Sequence, residues 1–267
     1  MTKIARYALF LVSAGQLLLA VICFLQLPLA AAVWPFPGTT PLTFIFVSSI
    51  LAAASASTLW VAVTEKYGAL TGLGIDYLGV LIPLSILSIQ LGAKSGDSRL
   101  TALGIMCVIG ALFGLGLLVW GIRVPIDNAV PMPAPVRWSF VVFILALLIV
   151  STRLLMNVPT IPWTITPVLS QVIGWMFLGA ATYFVYALVR PSWWNSAGQL
   201  AGFLAYDVVL IVPFLTRLPT TTPEHMVGLI IYTAVVIYSG LLAIYYLFVR
   251  ESTRVWSAGT PSLPSSL

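Results

Sequence analysis

Apolar stretches of about 20 residues recur along the chain between short polar breaks. They predict helical spans at about 7–27, 42–63, 70–91, 101–122, 138–157, 167–189, 197–216 and 227–249. The connections are too short to hold a soluble domain on either side of a bilayer. Beyond Arg250 the composition turns to Ser, Pro, Gly and Thr, which bury too little apolar surface to offset the entropy of ordering. Residues 251–267 are therefore expected to form a mobile, disordered cytoplasmic tail.

Lys3 and Arg6 ahead of the first stretch, with Ala30-Ala31-Ala32 behind it, have the outline of a secretory signal. The apolar part of such a signal runs only about 7–15 residues. This one is longer and has an internal counterpart, so it is expected to stay as the first span.

That counterpart belongs to a repeat. Arg6 and Pro28 flank the first span as Arg137 and Pro159 flank the fifth, at the same spacing. Trp34-Pro35-Phe36-Pro37 leading to Pro41 answers Pro162-Trp163 leading to Pro167. The interval from Gly72 to Pro83 recurs from Gly202 to Pro213, and that from Gly104 to Gly116 recurs from Gly228 to Gly240. These matches fall in order, which predicts two tandem four-helix repeats, 1–122 and 123–250. Each repeat has an even number of spans, so the two share one orientation and are related by a pseudo-two-fold axis along the membrane normal. The fold class expected is all-α integral membrane. Small residues four apart, Gly68 and Gly72, Gly110 and Gly114, Gly198 and Gly202, are expected to let helix backbones approach closely.

Charge sets the orientation. Lys3, Arg6, Lys66, Arg123, Arg137, Arg190, Arg250 and Arg254 fall on the side of the N-terminus, against only Lys94, Arg99, Arg153 and Arg217 opposite. Excess Lys and Arg mark the cytoplasmic side, which predicts that both termini are cytoplasmic. Most of the nine Trp cluster near span ends, where amphipathic rings settle at headgroups.

Composition agrees. Hydrophobic residues make up 60% of the 267 and charged residues 7%, against roughly 25% charged in soluble domains. The net charge of +5 is dispersed between spans, which argues against a nucleic-acid partner. Cys23 and Cys107 lie in apolar runs and read as small buried hydrophobes. His225 is the single histidine, so no metal or haem ligand set is expected, and no cofactor is assigned.

Three charges fall inside spans: Asp76, Asp207 and Arg153. A charge within a bilayer costs about 2.5–3.5 kcal/mol on insertion scales, so each is a candidate functional residue. The acids occupy matching places in the repeats, as Asp76-Tyr77 ahead of Pro83 and Tyr206-Asp207 ahead of Pro213, with the order of acid and phenol inverted. They are one position out of register, or about 100° around a helix. Both are expected to face the seam between halves. A structural role would have each acid accept a hydrogen bond from a neighbouring Tyr, Ser or Thr, or pair with Arg153. Pro83 and Pro213 are candidate helix breaks, since a proline within a span frees a carbonyl that can ligate an ion or substrate.

Asp76 after a Gly-rich stretch, and the Tyr206-Asp207 pair, also resemble the presenilin and signal-peptide-peptidase family of intramembrane aspartyl proteases. That resemblance implies two acids sharing a proton. The chain departs from the family's pattern, because Ile75 separates the acid from Gly-x-Gly, the Tyr-Asp element follows the glycine motif instead of preceding it, and no Pro-Ala-Leu element is present. No catalytic residue is assigned from it.

Two functions fit these features. Polar residues are scarce within the spans, which suggests a non-catalytic accessory or scaffold subunit whose apolar faces meet lipid and other membrane subunits. The duplication with its acids and prolines suggests instead a small-molecule or proton-linked transporter or binding protein, with its site between the repeats.

Overall fold

The computed structural model describes residues 2–255; most of the expected tail, 256–267, lies outside the described residues. Among the described residues the chain is all-helical: α1 (Thr2–Phe24), a short α2 (Ala30–Val33), α3 (Pro41–Thr64), α4 (Leu70–Ser95), α5 (Ser98–Gly121), α6 (Ala134–Leu155), α7 (Pro167–Val189), α8 (Trp193–Arg217) and α9 (Pro223–Ile244), which continues as a π-helical turn over Tyr245–Val249. All but α2 are long and apolar enough to cross a bilayer, giving eight spans with the make-up of a multi-pass membrane protein. The tail opens with a turn in which buried Thr253 donates to the Tyr246 carbonyl at 2.7 Å.

Local chemistry explains the helix ends, and it does so in matching ways. The α1 helix closes on Gln26, whose φ of 50° lies in the left-handed region, with Gln26 N–H donating to Cys23 O and Leu27 N–H to Ile22 O, both at 3.1 Å. The α6 helix closes on Asn157 at φ 57°, with Asn157 N–H donating to Leu154 O at 2.9 Å and Val158 N–H to Arg153 O at 2.8 Å. Both are Schellman closures, and a proline follows each, Pro28 and Pro159. At the far side of these connections, Thr40 caps α3 by accepting from Thr43 N–H at 3.3 Å, and Thr166 caps α7 by accepting from Leu169 N–H at 3.3 Å. Pro41 and Pro167 then occupy the first helical position, where no N–H is needed. The two connections touch, since Thr166 donates to Pro37 O at 3.2 Å.

Helix packing alternates between the halves. The α1 helix packs on α3 as α6 packs on α7, and α4 packs on α5 as α8 packs on α9. Between halves, α3 packs along α8 and α4 along α7, whereas the consecutive helices α3 and α4, and α7 and α8, scarcely meet. The halves are therefore interlocked. In α3 and α7, 56% of the spanning window is buried, against 28% in α1, α5 and α6. The first pair forms the centre, and the flanking helices turn large apolar side chains such as Leu11, Leu112 and Val142 outward.

Glycines set the approach at both crossings between halves. A Cβ on Gly72 of α4 would lie 2.4 Å from the Tyr183 ring of α7, and one on Gly202 of α8 would lie 2.4 Å from Ser57 Oγ of α3. Gly198 backs onto Trp60 and Tyr183.

On the N-terminal face the connection 122–133 is pinned across the bundle. Lys66 Nζ meets Asp127 Oδ2 at 2.6 Å, Trp193 N–H donates to Val130 O at 2.9 Å, and Ser192 donates to the Asp127 carbonyl. The Lys66 ammonium and the Ala129 N–H together hold the Asp127 carboxyl below the usual carboxylate range. Arg6 pairs with Glu65 at 2.5 Å on the same face.

Three expectations change. The first span runs over Thr2–Phe24 and not 7–27, because the turn bearing Lys3 and Arg6 is helical and brings Arg6 onto Glu65 and onto Ala62 O. Pro83 and Pro213 do not divide their helices, since α4 and α8 continue past them, α8 as far as Arg217. Each ring removes one backbone bond, which a long helix packed on two neighbours withstands. Arg153 is not a mid-span charge. It lies exposed in the last turn of α6, where its guanidinium donates to Thr160 Oγ1 at 3.3 Å and Pro159 O at 3.5 Å. A cation at a helix C-terminus meets free carbonyls there, and its long side chain reaches the polar connection.

Candidate functional site

Where the two crossings leave space, a cavity of about 460 Å³ opens between the halves. All eight long helices line it, together with Val33 and Trp34 from one connection and Thr160 and Ile161 from its counterpart. Most of the wall is aliphatic or aromatic. Asp76, Tyr77, Tyr206 and Asp207 all line it. Arg153 does not line it, and neither does any other Lys, Arg or His.

The two acids sit differently. Asp76 is half-buried on α4, its carboxylate over Gly179 of α7, where a Cβ would come within 3.0 Å of Oδ1. Asp207 of α8 is 4% exposed, and neither of its oxygens has a hydrogen-bond partner among the described residues. Ser239 of α9 lies beside it, but that hydroxyl donates to Val235 O at 2.8 Å, back into its own helix. No salt bridge reaches either acid among the described residues.

The phenols are already engaged. Gln16 Nε2 of α1 donates to Tyr77 OH at 2.7 Å, and Tyr77 OH in turn meets Thr58 Oγ1 of α3 at 2.8 Å. Thr58 uses its own proton on Ala54 O, so the chain runs Gln16 to Tyr77 to Thr58 to backbone. Tyr206 OH pairs with Tyr232 OH of α9. Asp76 has no such bond among the described residues, Ser239 is the hydroxyl beside Asp207 though it donates to Val235 O, and Arg153 reaches neither acid. The neighbouring hydroxyls spend their protons elsewhere, and Arg153 is too near the end of α6.

Sequence reasoning passed over Gln16, Gln199, Ser57, Tyr232 and Ser239, which also line the cavity. None of them belongs to a motif that carries chemistry of its own. The signal available was the rarity of amides there, since Gln16 and Gln199 interrupt long apolar runs. Among the described residues no group of His, Cys, Asp and Glu could hold a metal ion. Cys23 and Cys107 are buried and free.

No protein-family model, curated protein or solved structure matches the chain.

Proposed function

We propose that the protein is a membrane-embedded carrier or binder of a small molecule, with its site at the interface between two tandem repeats and both termini in the cytoplasm. The observation that carries this reading is the cavity at the seam, lined from all eight spans and by both intramembrane acids. Its size falls within the roughly 300–1,000 Å³ of small-molecule sites, and its apolar wall with few polar groups is their usual make-up. The scaffold reading drew on the scarcity of polar residues in the spans, and the cavity gathers several of those there are.

The duplication is supported by the paired Schellman closures at Gln26 and Asn157, the paired caps at Thr40 and Thr166, and the paired crossings at Gly72 and Gly202. In transporters built of parallel repeats the substrate site lies near the bilayer midplane where the repeats meet. Superposing 1–122 on 123–250 without inversion tests the relation between halves. A reporter near Lys66 that is active only outside the cytoplasm would overturn the orientation.

The binding reading is tested by titrating the purified full chain, in nanodiscs, with a neutral environment-sensitive apolar fluorophore. One saturable site is expected, lost in Ala180→Phe, which fills the cavity, while the thermal midpoint stays within a few degrees. Equal binding by both proteins, or none by either, rejects a ligand site at the seam.

A further inference from the structure

We propose that the cavity takes an organic monocation, an ammonium on an apolar body, with Asp207 as its anchor. This rests on the seam being a ligand site and names the class of ligand.

The electrostatics of the wall select the charge. Its ionisable groups other than phenols and the Cys107 thiol are two acids, with no base, so an anionic ligand would find no cation to pair with. Asp207 is buried with both oxygens unpartnered. In such surroundings a carboxylate is stable only as the neutral acid or beside a cation. An N–H donor from an ammonium supplies what the Ser239 hydroxyl, bonded to Val235 O, does not, a positive charge beside the carboxylate. Charge-assisted bonds of this kind are about twice as strong as neutral ones.

The rest of the wall selects the body. Aliphatic and aromatic side chains dominate, and Phe143, Phe203, Tyr206 and Tyr232 offer rings against which a cation is also attracted. A sugar or other polyol would leave most of its hydroxyls unbonded here. A bare metal cation is disfavoured for a related reason. Such ions take about six or more oxygen ligands, whereas the phenols of this cavity are tied up as Tyr206 with Tyr232 and Tyr77 with Gln16 and Thr58.

The test uses three probes of one shape, 4-phenylbutylamine, 4-phenylbutanol and 4-phenylbutyrate, each competing with the neutral fluorophore on the full chain in nanodiscs at neutral pH. The amine is expected to displace it at least about tenfold more tightly than the alcohol, the margin a charge-assisted bond gives, and the carboxylate least of all. Asp207→Asn should bring amine and alcohol together while leaving fluorophore binding intact, and Asp207→Glu should restore the preference. If amine and alcohol compete equally in the unaltered protein, the cavity is a site for neutral apolar molecules and the inference of a cation fails alone. An amine preference that survives in Asp207→Asn overturns the assignment to that carboxylate. If the fluorophore itself has no saturable site, the reading of the seam falls first and this inference with it.

Discussion

The pair α4–α5 and the pair α8–α9 hold the same place in the two halves, yet they are built differently. Between α4 and α5 the backbones touch. A Cβ on Gly74 would lie 2.6 Å from Leu118 N and 2.7 Å from Gly114 O, and one on Gly121 would lie 2.5 Å from Thr71 N. Between α8 and α9 the nearest glycine approach is loose, with a Cβ on Gly240 meeting Asp207 Cβ at an ordinary 3.5 Å. Side chains hold that pair apart, through Tyr206 with Tyr232 and Asp207 beside Ser239.

The inverted order of acid and phenol fits this difference. The position facing the half's own partner helix is Tyr77 in the first half, beside Gly114, and Asp207 in the second, beside Gly240. The position facing the other half is Asp76, over Gly179 of α7, and Tyr206, whose ring lies 6.2 Å from that of Phe46 of α3. The first half therefore closes its helix pair with glycines and a bonded phenol. The second leaves an acid in a space that a ligand can share.

Glycine substitutions should break this comparison most visibly. Gly74→Ala places a carbon against backbone that cannot rotate away, and should cost about 1–3 kcal/mol, the usual range for overpacking. Gly240→Ala should change stability by no more than about 0.5 kcal/mol, as substitutions without a named defect do. Reversible denaturation in mild detergent would measure both, and equal losses would mean that the two pairs are packed alike.

A smaller effect, of opposite sign in the two halves, is expected at the inverted pair. Tyr77→Phe strands Gln16 and Thr58 and should lower stability by about 1 kcal/mol, a typical net hydrogen bond. Asp207→Leu removes a poorly satisfied buried acid and should raise stability by about 1 kcal/mol or more, as exchanging a poorly satisfied buried polar group for an apolar one often does, while abolishing the preference for an amine over an alcohol. Destabilisation by Asp207→Leu would make that acid a structural element.

The smallest effect concerns the connection that ties the halves together on the N-terminal face. Asp127 is held below its ordinary range by Lys66, so its contribution is present above the unfolded value, about pH 4 for an Asp, and is lost as pH falls through the lower folded value. The pair is about one-third exposed, with relative side-chain areas of 31% and 34%, so screening limits it to about 0.5 kcal/mol. Asp127→Asn should flatten the acid limb of the stability profile by that amount and leave the neutral plateau lower. An unchanged acid limb would show that the linker's backbone bonds alone hold it.

Much of this architecture was legible in the order of residues. Apolar run length determines how many helices can cross a bilayer, because every backbone group must be satisfied within its own segment. The matched Pro28 and Pro159, and Pro41 against Pro167, fall where helices end and begin, because capping is a local matter of a few neighbouring atoms. Tertiary structure alone decided what those helices do to one another. It continued α4 and α8 past their prolines and turned the hydroxyls beside the acids to other partners. It also interlocked the halves through α3–α8 and α4–α7 and gathered Gln16, Tyr232 and Ser239 around one cavity. These outcomes depend on which face each helix presents and how closely its backbone is approached. Helices that are apolar all round leave that undetermined by their own pattern, since lipid and neighbour are equally acceptable to a Leu.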